Sequence, residues 1–571
     1  MNSERRKDLV EKTPQIPPVF IEYLKRRGIV GGEAVHKFLH PTLENLPKPE
    51  LMQNLQVAAQ SVVDYMVAGR QIIIWGDYDV DGTTGTALLV NFFKEFGIEA
   101  RWHIPDRFDE GYGLNSEWFI NRKNTAISEE FLLITVDCGI SNAKEIEVIK
   151  NIGGEVIVTD HHSLPEHSIP ECIVLNPSQV SCGFHKDQLA GVGVAFYLAA
   201  GIRANLSLNS RFSNIAGQIN LKRYLAFVAL GTVADVVDLT ATNRILVRAG
   251  LEVLLESNFI GLKELLLSCD ISGDYIASED IGYLIGPKIN AAGRLGNSGI
   301  VVELLTSRDR KDAKRLSTEL TDLNTERKRL SGGNLESALT LTSGAIVERE
   351  KCVIVKGELH QGVAGIVASR LVEIFQAPAI VFAEKKSCSD EITYFTGSAR
   401  SVDGINIIDI LSQCSEWIER FGGHEMAAGL TVSGIKMNEF RKKFVSRVMS
   451  AMNERQVKPK KQFDIDCSVE LAMNNDHLDC FRLLEPFGPG NSQPVFKDSS
   501  VTIVNTRAVG RGSEHLQVTI RGRYSNLKGI GFGLGGRVED IQKRPKRNMI
   551  YTPTMNRFRG NVSWQVRVIE T

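Results

Sequence analysis

Apolar and polar positions along the chain change period several times. Residues up to about Gly69 read as short helices broken by Pro17-Pro18, Pro41, Pro47 and Pro49. Within them, Leu51–Ala68 has apolar residues at helical spacing (Leu55, Val57, Val62, Val63, Met66). From Gln71 the pattern shortens to mostly apolar runs of strand length: Gln71–Trp75, Phe131–Val136, Glu155–Thr159 and Cys172–Leu175. Such runs suit strands buried on both faces of a parallel sheet. Helix-like stretches, Thr84–Phe96 and Asn142–Ile152, separate most of them, and this alternation predicts an α/β domain over residues 71–300. The helical segment 1–70 is expected to pack on that domain. Residues 301–345 are charged, helix-prone and free of proline, with Gly332-Gly333 as a candidate break, and predict one long exposed connecting helix or two. A second α/β domain, 346–455, is signalled by Val353-Ile354-Val355, Ala379–Phe382 and the glycine-rich Phe421–His424. A basic linker (Lys458, Lys460, Lys461) leads into 456–571. The short strands expected there, Ser500–Val504, Leu516–Arg521, Gly529–Phe532 and Ser563–Ile569, suggest a small all-β barrel or sandwich.

Composition narrows the class. Of 571 residues, 43% are hydrophobic and 24% charged, ordinary for a water-soluble globular protein. The longest run without Asp, Glu, Lys or Arg is Gln188–Ile202, shorter than the ~18 residues a membrane span needs. The first residues have no apolar core, so no secretory signal is expected. Nine scattered cysteines form no CxxC pair, which suggests neither a zinc ribbon nor a disulfide scaffold and fits a reducing cytoplasm. The formal charge of −1, taken alone, argues against a nucleic-acid partner.

The candidate chemistry begins where the first strand ends, at Gly76-Asp77-Tyr78-Asp79-Val80-Asp81-Gly82. Open α/β sheets bind ligands at the carboxyl ends of their strands. Three carboxylates this close repel one another unless a cation sits among them. An EF-hand loop counted from Asp77 fails, because its twelfth position is Leu88 where a bidentate glutamate is needed. A solvated acidic turn remains the bland alternative. Later segments weigh against it: the second strand runs into Asp137, the third into Asp160-His161-His162, and an apolar helix or strand ends at Asp235. Mixed carboxylate and imidazole ligands without thiolates favour Mn²⁺ or Mg²⁺. Their number suggests two ions, the usual apparatus for attacking a phosphodiester.

Asp160-His161-His162, with GDYDVDG before it and GTVAD after it, resembles the DHH phosphoesterase superfamily. Gly422-Gly423-His424-Glu425-Met426-Ala427-Ala428-Gly429 resembles the GGHxxAAG signature of the DHHA1 domain. Further segments resemble that superfamily's bacterial exonucleases specific for single-stranded DNA: Arg107-Phe108 with Gly111–Leu114, Gly286–Leu295, Gly365–Leu371, Gly397–Ser401 and Glu485–Asn491. Two local departures stand out. The usual Trp-His-x-Gly-Val reads Leu359-His360-Gln361-Gly362-Val363, and Gly296-Asn297 follows Arg294-Leu295 where an acidic residue is commoner.

The resemblance implies roles. Asp77, Asp79 and Asp137 would hold one cation. Asp81, Asp137, His161 and Asp235 would hold the other. His162 would contact the scissile phosphate, with Asp160 orienting its histidine neighbours; His162, Asp160, His161 and Asp81 are thus the candidate catalytic group. Arg294, Ser398 and Arg400 would bind a 5′ phosphate, and Gly422, Gly423 and His424 would approach the terminal nucleotide. Solvated surface arginines and a plain glycine turn are the respective bland alternatives. The last segment resembles the family's OB-type domain, where Lys543, Arg544, Lys546, Arg547, Arg557, Arg559 and Arg567, with Phe558 and Trp564 among them, would track a DNA backbone; a solvated loop is the alternative for Lys543–Arg547.

The expectation is therefore two α/β domains, DHH and DHHA1, joined by a long helix and followed by an all-β OB-type domain. The expected activity is 5′ to 3′ degradation of single-stranded DNA to 5′ mononucleotides with two divalent cations, Mn²⁺ or Mg²⁺, in recombination and repair. The strand would be selected sterically, by a gap that admits no duplex. The resemblance implies a monomer in contact with single-strand-binding protein and a helicase, away from membranes. A DHH phosphodiesterase for short oligoribonucleotides or cyclic dinucleotides is the rival enzyme, and an inactive single-strand-binding scaffold is the rival of another class. Charge no longer excludes DNA: aspartates gather at one sheet edge while cationic residues lie mainly in the later domains.

Overall fold

The four apolar runs fold as parallel strands of one sheet in a computed structural model. The structure describes residues 16–121, 127–165, 169–184, 187–273, 275–385, 393–455, 463–510, 512–558 and 561–571. The strands are β1 (Gln71–Gly76), β2 (Arg101–His103), β3 (Phe131–Val136), β4 (Gly154–Thr159) and β5 (Ile173–Leu175), ordered β2-β1-β3-β4-β5. All neighbours pair in parallel. Every residue of β3 is buried, as a central strand covered on both faces must be. On one face Ile73, Trp75, Leu133 and Val158 meet Phe119, Ile146 and Ile149 from the helices Ser116–Ile120 and Ala143–Asn151. The helices Val80–Glu95 and Gly191–Leu206 pack together and form another layer. From β1 the chain goes to one side (β2) and returns to the other (β3). This reversal opens a crevice at the carboxyl ends of β1 and β3.

The connecting segment differs in detail from expectation. A helix Gly299–Thr306 precedes the long helix Arg310–Thr340, which runs through the candidate break at Gly332-Gly333. The second sheet contains β6 (Val353–Gly357), β7 (Ala379–Lys385), β8 (Tyr394–Arg400), β9 (Arg420–His424) and β10 (Ala427–Ser433), ordered β6-β7-β8-β10-β9. Only β6 and β7 pair in parallel; the other neighbours are antiparallel. The third sheet has β11 (Ile465–Asp466), β12 (Phe496–Val509), β13 (His515–Ile520), β14 (Leu527–Gly531), β15 (Lys546–Phe558) and β16 (Asn561–Glu570). Pairing of β12 with β15 closes β12-β13-β14-β16-β15 into a five-stranded barrel, an OB-like architecture.

The chain divides into two compact units. One comprises Met1–Pro287, Ser298–Thr318 and Lys461–Thr571; the other comprises Lys288–Asn297 and Glu319–Lys460. Two expectations need correction. The N-terminal segment does not pack solely on the first sheet: Phe20, Tyr23, Leu24 and Leu39 are buried in one core with Phe496, Leu516, Met549, Tyr551 and Val566 of the barrel. Helix Leu55–Ala68 packs on Gly191–Leu206. The reason is sequence distance: an amphipathic face specifies burial, not the element that covers it. Second, Arg294 belongs to the unit of the second sheet rather than to the first α/β domain. The basic linker residues Lys458, Lys460 and Lys461 lie outside the described residues.

Candidate active site

Asp77 and Asp137 follow β1 and β3 directly, so the crevice between those strands receives a carboxylate from each wall. Asp137 is 1% exposed and has φ +62°, a left-handed turn that takes the chain sharply off the strand. Asp79 caps the helix Val80–Glu95, accepting a hydrogen bond from Gly82 N–H at 3.0 Å. Asp81 lies in that helix's first turn and is wholly buried. Its Oδ2 accepts from Gly191 N–H at 2.6 Å and its Oδ1 from Val192 N–H at 3.0 Å. The start of the helix Gly191–Leu206 therefore aims it. Asp160 receives the backbone N–H groups of His161 (2.7 Å), His162 (3.0 Å) and Ile140 (3.0 Å). His161 Nε2 lies 3.1 Å from Asp137, 3.4 Å from Asp235 and 3.9 Å from Asp81. His162 Nδ1 faces Asp160 Oδ1 at 2.8 Å. Two glycines make the packing feasible: a Cβ on Gly191 would stand 2.9 Å from Asp137 Oδ1, and one on Gly231 would stand 2.6 Å from Asp81 Oδ1.

So many carboxylates cannot all ionise in a dry crevice. Burial, then the neighbouring Asp79 charge, raises Asp77 and also lifts Asp81 to about 7. Burial, then Asp81, raises Asp137 and lifts Asp235 to about 9. Asp79 rises through burial too. Asp160 behaves oppositely: burial works against its charge, but the hydrogen bond from His162 keeps it below the ordinary carboxylate range. Burial likewise disfavours a charged His162, but Asp160 overrides it and raises the ring to about 9. Three groups bring ligand atoms within 4.8 Å of one another: Asp77–Asp79–Asp137, Asp81–His161–Asp235 and Asp137–His161–His162. Among the described residues, Asp77 Oδ1 and Asp137 Oδ1 are buried and accept no hydrogen bond, although His161 Nε2 stands 3.1 Å from the latter. Unsatisfied buried oxygens among mutually repelling carboxylates are what a hard divalent cation would satisfy, and the oxygen and nitrogen donors fit Mn²⁺ or Mg²⁺.

In the second unit the structure gathers the expected phosphate-binding residues. Arg400 Nη1 donates to Ser398 Oγ at 3.2 Å, and Arg294 Nη1 to the Gly362 carbonyl at 3.2 Å. Gly362 and Gly365 lie at the turn into the helix Ala364–Phe375. A Cβ on Gly365 would stand 2.7 Å from Arg400 Nη2 and 3.0 Å from Ser398 Oγ, so this helix start abuts the β8 pair closely. Register adds the remaining residues. Arg400 stands opposite Ala427 and Ala427 opposite His424; Ser398 stands opposite Gly429 and Gly429 opposite Gly422. Directly opposed residues share a face. Ser398, Arg400, Gly422 and His424 therefore rim a floor made by Ala427 and Gly429, about 10 Å across for two strand spacings. Gly423, at φ +144°, lies one residue out of phase; a Cβ there would strike the Ala427 carbonyl at 2.3 Å. The glycine pair is thus part of an edge strand and not a plain turn.

Comparison with known proteins gives three domain matches in order: DHH family, N-terminal domain at residues 71–232; DHHA1 domain at 349–450; and RecJ OB domain at 465–570. The single-stranded-DNA-specific exonuclease RecJ of Haemophilus influenzae is 33% identical over 93% of this chain and 93% of its own length. The chain belongs to the RecJ family. The RecJ of Bacillus subtilis is 31% identical over 99% of this chain and 69% of its own. A crystal structure of RecJ in complex with Mn²⁺ from Thermus thermophilus superposes with TM-score 0.75 at 27% identity, covering 97% of this chain and 78% of that one. A complex with Mg²⁺ from the same organism gives 0.71 at 25% identity, covering 100% and 77%.

Some residues around this RecJ-family site were given no role from sequence. Tyr112 Oη lies 3.3 Å from His162 Nδ1 and donates to the Asp137 carbonyl at 3.4 Å. Burial, with the nearby Asp160 and Asp137 charges, raises its phenol far up, so it stays protonated. Its position between Gly111 and Gly113 was the available signal. Gly191 and Val192 act through backbone N–H groups, which carry no side-chain signature.

The basic segment of the barrel needs correction. Arg557 binds both oxygens of Asp280, at 2.8 and 2.9 Å, and Arg547 binds Asp540 at 3.1 Å and backbone carbonyls of its own turn. Arg567 lies 3.7 Å from Glu279. Trp564 packs edge-on against Phe481 and under Arg482. These four residues are engaged within the protein rather than free as a DNA track, because β15 and β16 are barrel strands whose long side chains lie against the preceding helices. Lys543, Arg544 and Lys546 are exposed. Arg559 and the Phe558 side chain lie outside the described residues.

Proposed function

We propose that this protein is a divalent-cation-dependent exonuclease that degrades single-stranded DNA from its 5′ end to 5′ mononucleotides, in recombination and repair. The observation that carries the reading is the convergence of Asp77, Asp79, Asp81, Asp137, Asp235 and His161 on the crevice at β1 and β3, in a chain of the RecJ family. The two RecJ complexes with Mn²⁺ and Mg²⁺ support the choice of cation. Asp77, Asp79 and Asp137 would hold one ion and Asp81, Asp137, His161 and Asp235 the other. Bound there, the two ions would supply charge stabilisation for an in-line displacement at phosphorus and lower the pKa of the attacking water.

The chain's own groups do the rest. Asp160 holds the Nδ1 proton on His162 and favours the charged ring, leaving Nε2 to face a phosphate oxygen. Arg400, Ser398 and Arg294 offer charge and hydrogen bonds to a terminal 5′ phosphate, and the strand face is open at Gly422 and Gly429, where an added Cβ would meet nothing within 4 Å. Eight described cysteines are all thiols, which supports a cytoplasmic location. A monomer that meets single-strand-binding protein and a helicase is part of the same reading.

The rival, a phosphodiesterase for short oligoribonucleotides or cyclic dinucleotides, leaves the RecJ OB domain match unexplained. The test is digestion of long 5′- and 3′-labelled single strands with Mn²⁺, Mg²⁺ or EDTA. Early release of the 5′ label as mononucleotide, abolished by EDTA, is expected. Early loss of the 3′ label, or cleavage confined to short oligonucleotides, overturns the reading.

A further inference from the structure

Asn243 lies in the first turn of the helix Ala241–Leu255 and is 4% exposed. It is far too buried for a solvated polar residue, and it has no place among the candidate ligands. Its Nδ2 donates to two backbone carbonyls, Gln188 at 2.7 Å and Asp238 at 3.0 Å. Chemistry fixes that orientation, since an amide oxygen facing two carbonyl oxygens would be repelled. Both N–H bonds are used, and Oδ1 is buried with no hydrogen-bond partner among the described residues. The two donated bonds are therefore the polar role of this side chain.

Each carbonyl belongs to a segment that sets one cation-site carboxylate. Gln188 leads into the helix Gly191–Leu206, whose Gly191 and Val192 N–H groups hold Asp81. Asp238 follows Asp235 by three residues. Thr242 reinforces the first link, its Oγ1 donating to Asp187 Oδ2 at 2.9 Å. The segment after Asp235 also needs holding. Val236 has φ +63°, a region β-branched residues avoid, yet it is 64% exposed and so not pinned by packing. Such a conformation persists where its surroundings impose it. Here the surroundings include the Asn243 bond to Asp238, the Val236 N–H bond to the Val233 carbonyl at 3.3 Å, and buried Leu239, whose N–H binds the Pro489 carbonyl at 2.8 Å.

We infer that Asn243 is a positioning residue for the cation set Asp81–His161–Asp235, its amide fixing the spacing of the two segments that present Asp81 and Asp235. This rests on the cation-pair reading above. Removing the amide takes one restraint from the Val236 turn and loosens the placement of Asp235 relative to Asp81 and His161. The Asp77–Asp79 end has no link to Asn243 and keeps its geometry.

The test is Mn²⁺ binding to the full chain, by titration calorimetry and by the paramagnetic signal of free Mn²⁺. Two ions are expected on the unsubstituted protein. Asn243→Ala should weaken one of them by roughly 10–100-fold, the range for partners that orient metal ligands, and leave the other unchanged. Its lower kcat should be restored by added Mn²⁺ with KM for single-stranded DNA unmoved. Should the alanine variant fail to fold, Asn243→Ser, whose hydroxyl reaches at most one carbonyl, should give a smaller loss of the same kind. Two ions on the unsubstituted protein but unaltered affinities in a folded variant overturn the inference alone. Fewer than two ions on the unsubstituted protein overturn the cation-pair reading and the inference with it.

Discussion

Asp137 stands where the two candidate cation sets meet, so one substitution there tests both. Asp137→Asn keeps the shape of the side chain and removes its charge. Nuclease activity should fall by more than ~100-fold, beyond the range for outlying partners of metal ligands, and Mn²⁺ stoichiometry should drop in calorimetry. Arg400→Ala should act differently. Losing a charged hydrogen bond of about 1.5–3 kcal/mol should raise KM roughly tenfold to a hundredfold for 5′-phosphorylated strands, with little change for 5′-hydroxyl strands and none in Mn²⁺ affinity. At this scale the sequence was informative for groups that act through side chains. Asp77, Asp79, Asp81, Asp137, His161 and Asp235 stood at strand and helix ends where chemistry gathers. Gly191 and Val192 were not legible, because a backbone N–H is the same in every residue but proline. Asn243 was hidden for a related reason: its partners are carbonyls brought together only by the fold.

Elements whose function depends on close approach should be sensitive to a single methyl. Gly365→Ala would push against Arg400 and Ser398 from the start of the helix Ala364–Phe375. The expected outcome is a raised KM for 5′-phosphorylated strands with Mn²⁺ binding intact. The loop Glu485–Asn491 offers a pH test. Glu485 is buried and accepts a hydrogen bond from Tyr275. Burial pushes its carboxyl up to about 7 from an ordinary 4.5. The folded state thus holds this proton more tightly than the unfolded state. Stability from this group is full below about 4.5 and is lost as pH rises through about 7, on the order of 3 kcal/mol in all. Glu485→Gln should flatten the fall in thermal midpoint between pH 5 and pH 8; an unchanged slope counts against the assignment. Element by element, the long apolar strands were plain in the sequence, whereas β2 and β15 were not. β2 is only Arg101-Trp102-His103 at a sheet edge, and β15 opens on Lys546-Arg547-Asn548 and contains Pro553, all features that usually mark loops.

On the scale of the whole molecule, cation binding should couple to both protons and stability. Asp81 and Asp235, at about 7 and 9, retain protons near neutral pH in the ion-free fold. A divalent ion must displace them, so affinity should rise with pH toward 9. Calorimetry in buffers of different ionisation enthalpy should register the released protons. At a hundred times its dissociation constant an ion adds about 2.7 kcal/mol to the stability of the unit that binds it. The melting transition of the unit with the first sheet should therefore move up with Mn²⁺ and return with EDTA, and that of the second-sheet unit should not.

The shared core of the N-terminal helices and the barrel also bears on how the protein is made. Phe20, Tyr23 and Leu24 emerge from the ribosome some 470 residues before Phe496, the nearest of the barrel strands they pack against in sequence. At about 5–20 residues per second that interval is roughly 25–95 s. For most of it, until Ile465–Phe487 follow, the first helices present a greasy stripe whose core partners have not been made. The first sheet, by contrast, has all its strands once residue 175 is out. Ribosome-stalled chains cut short before β12 should then show a protease-resistant first sheet and a cleavable N-terminal arm, and release of the whole chain should protect that arm.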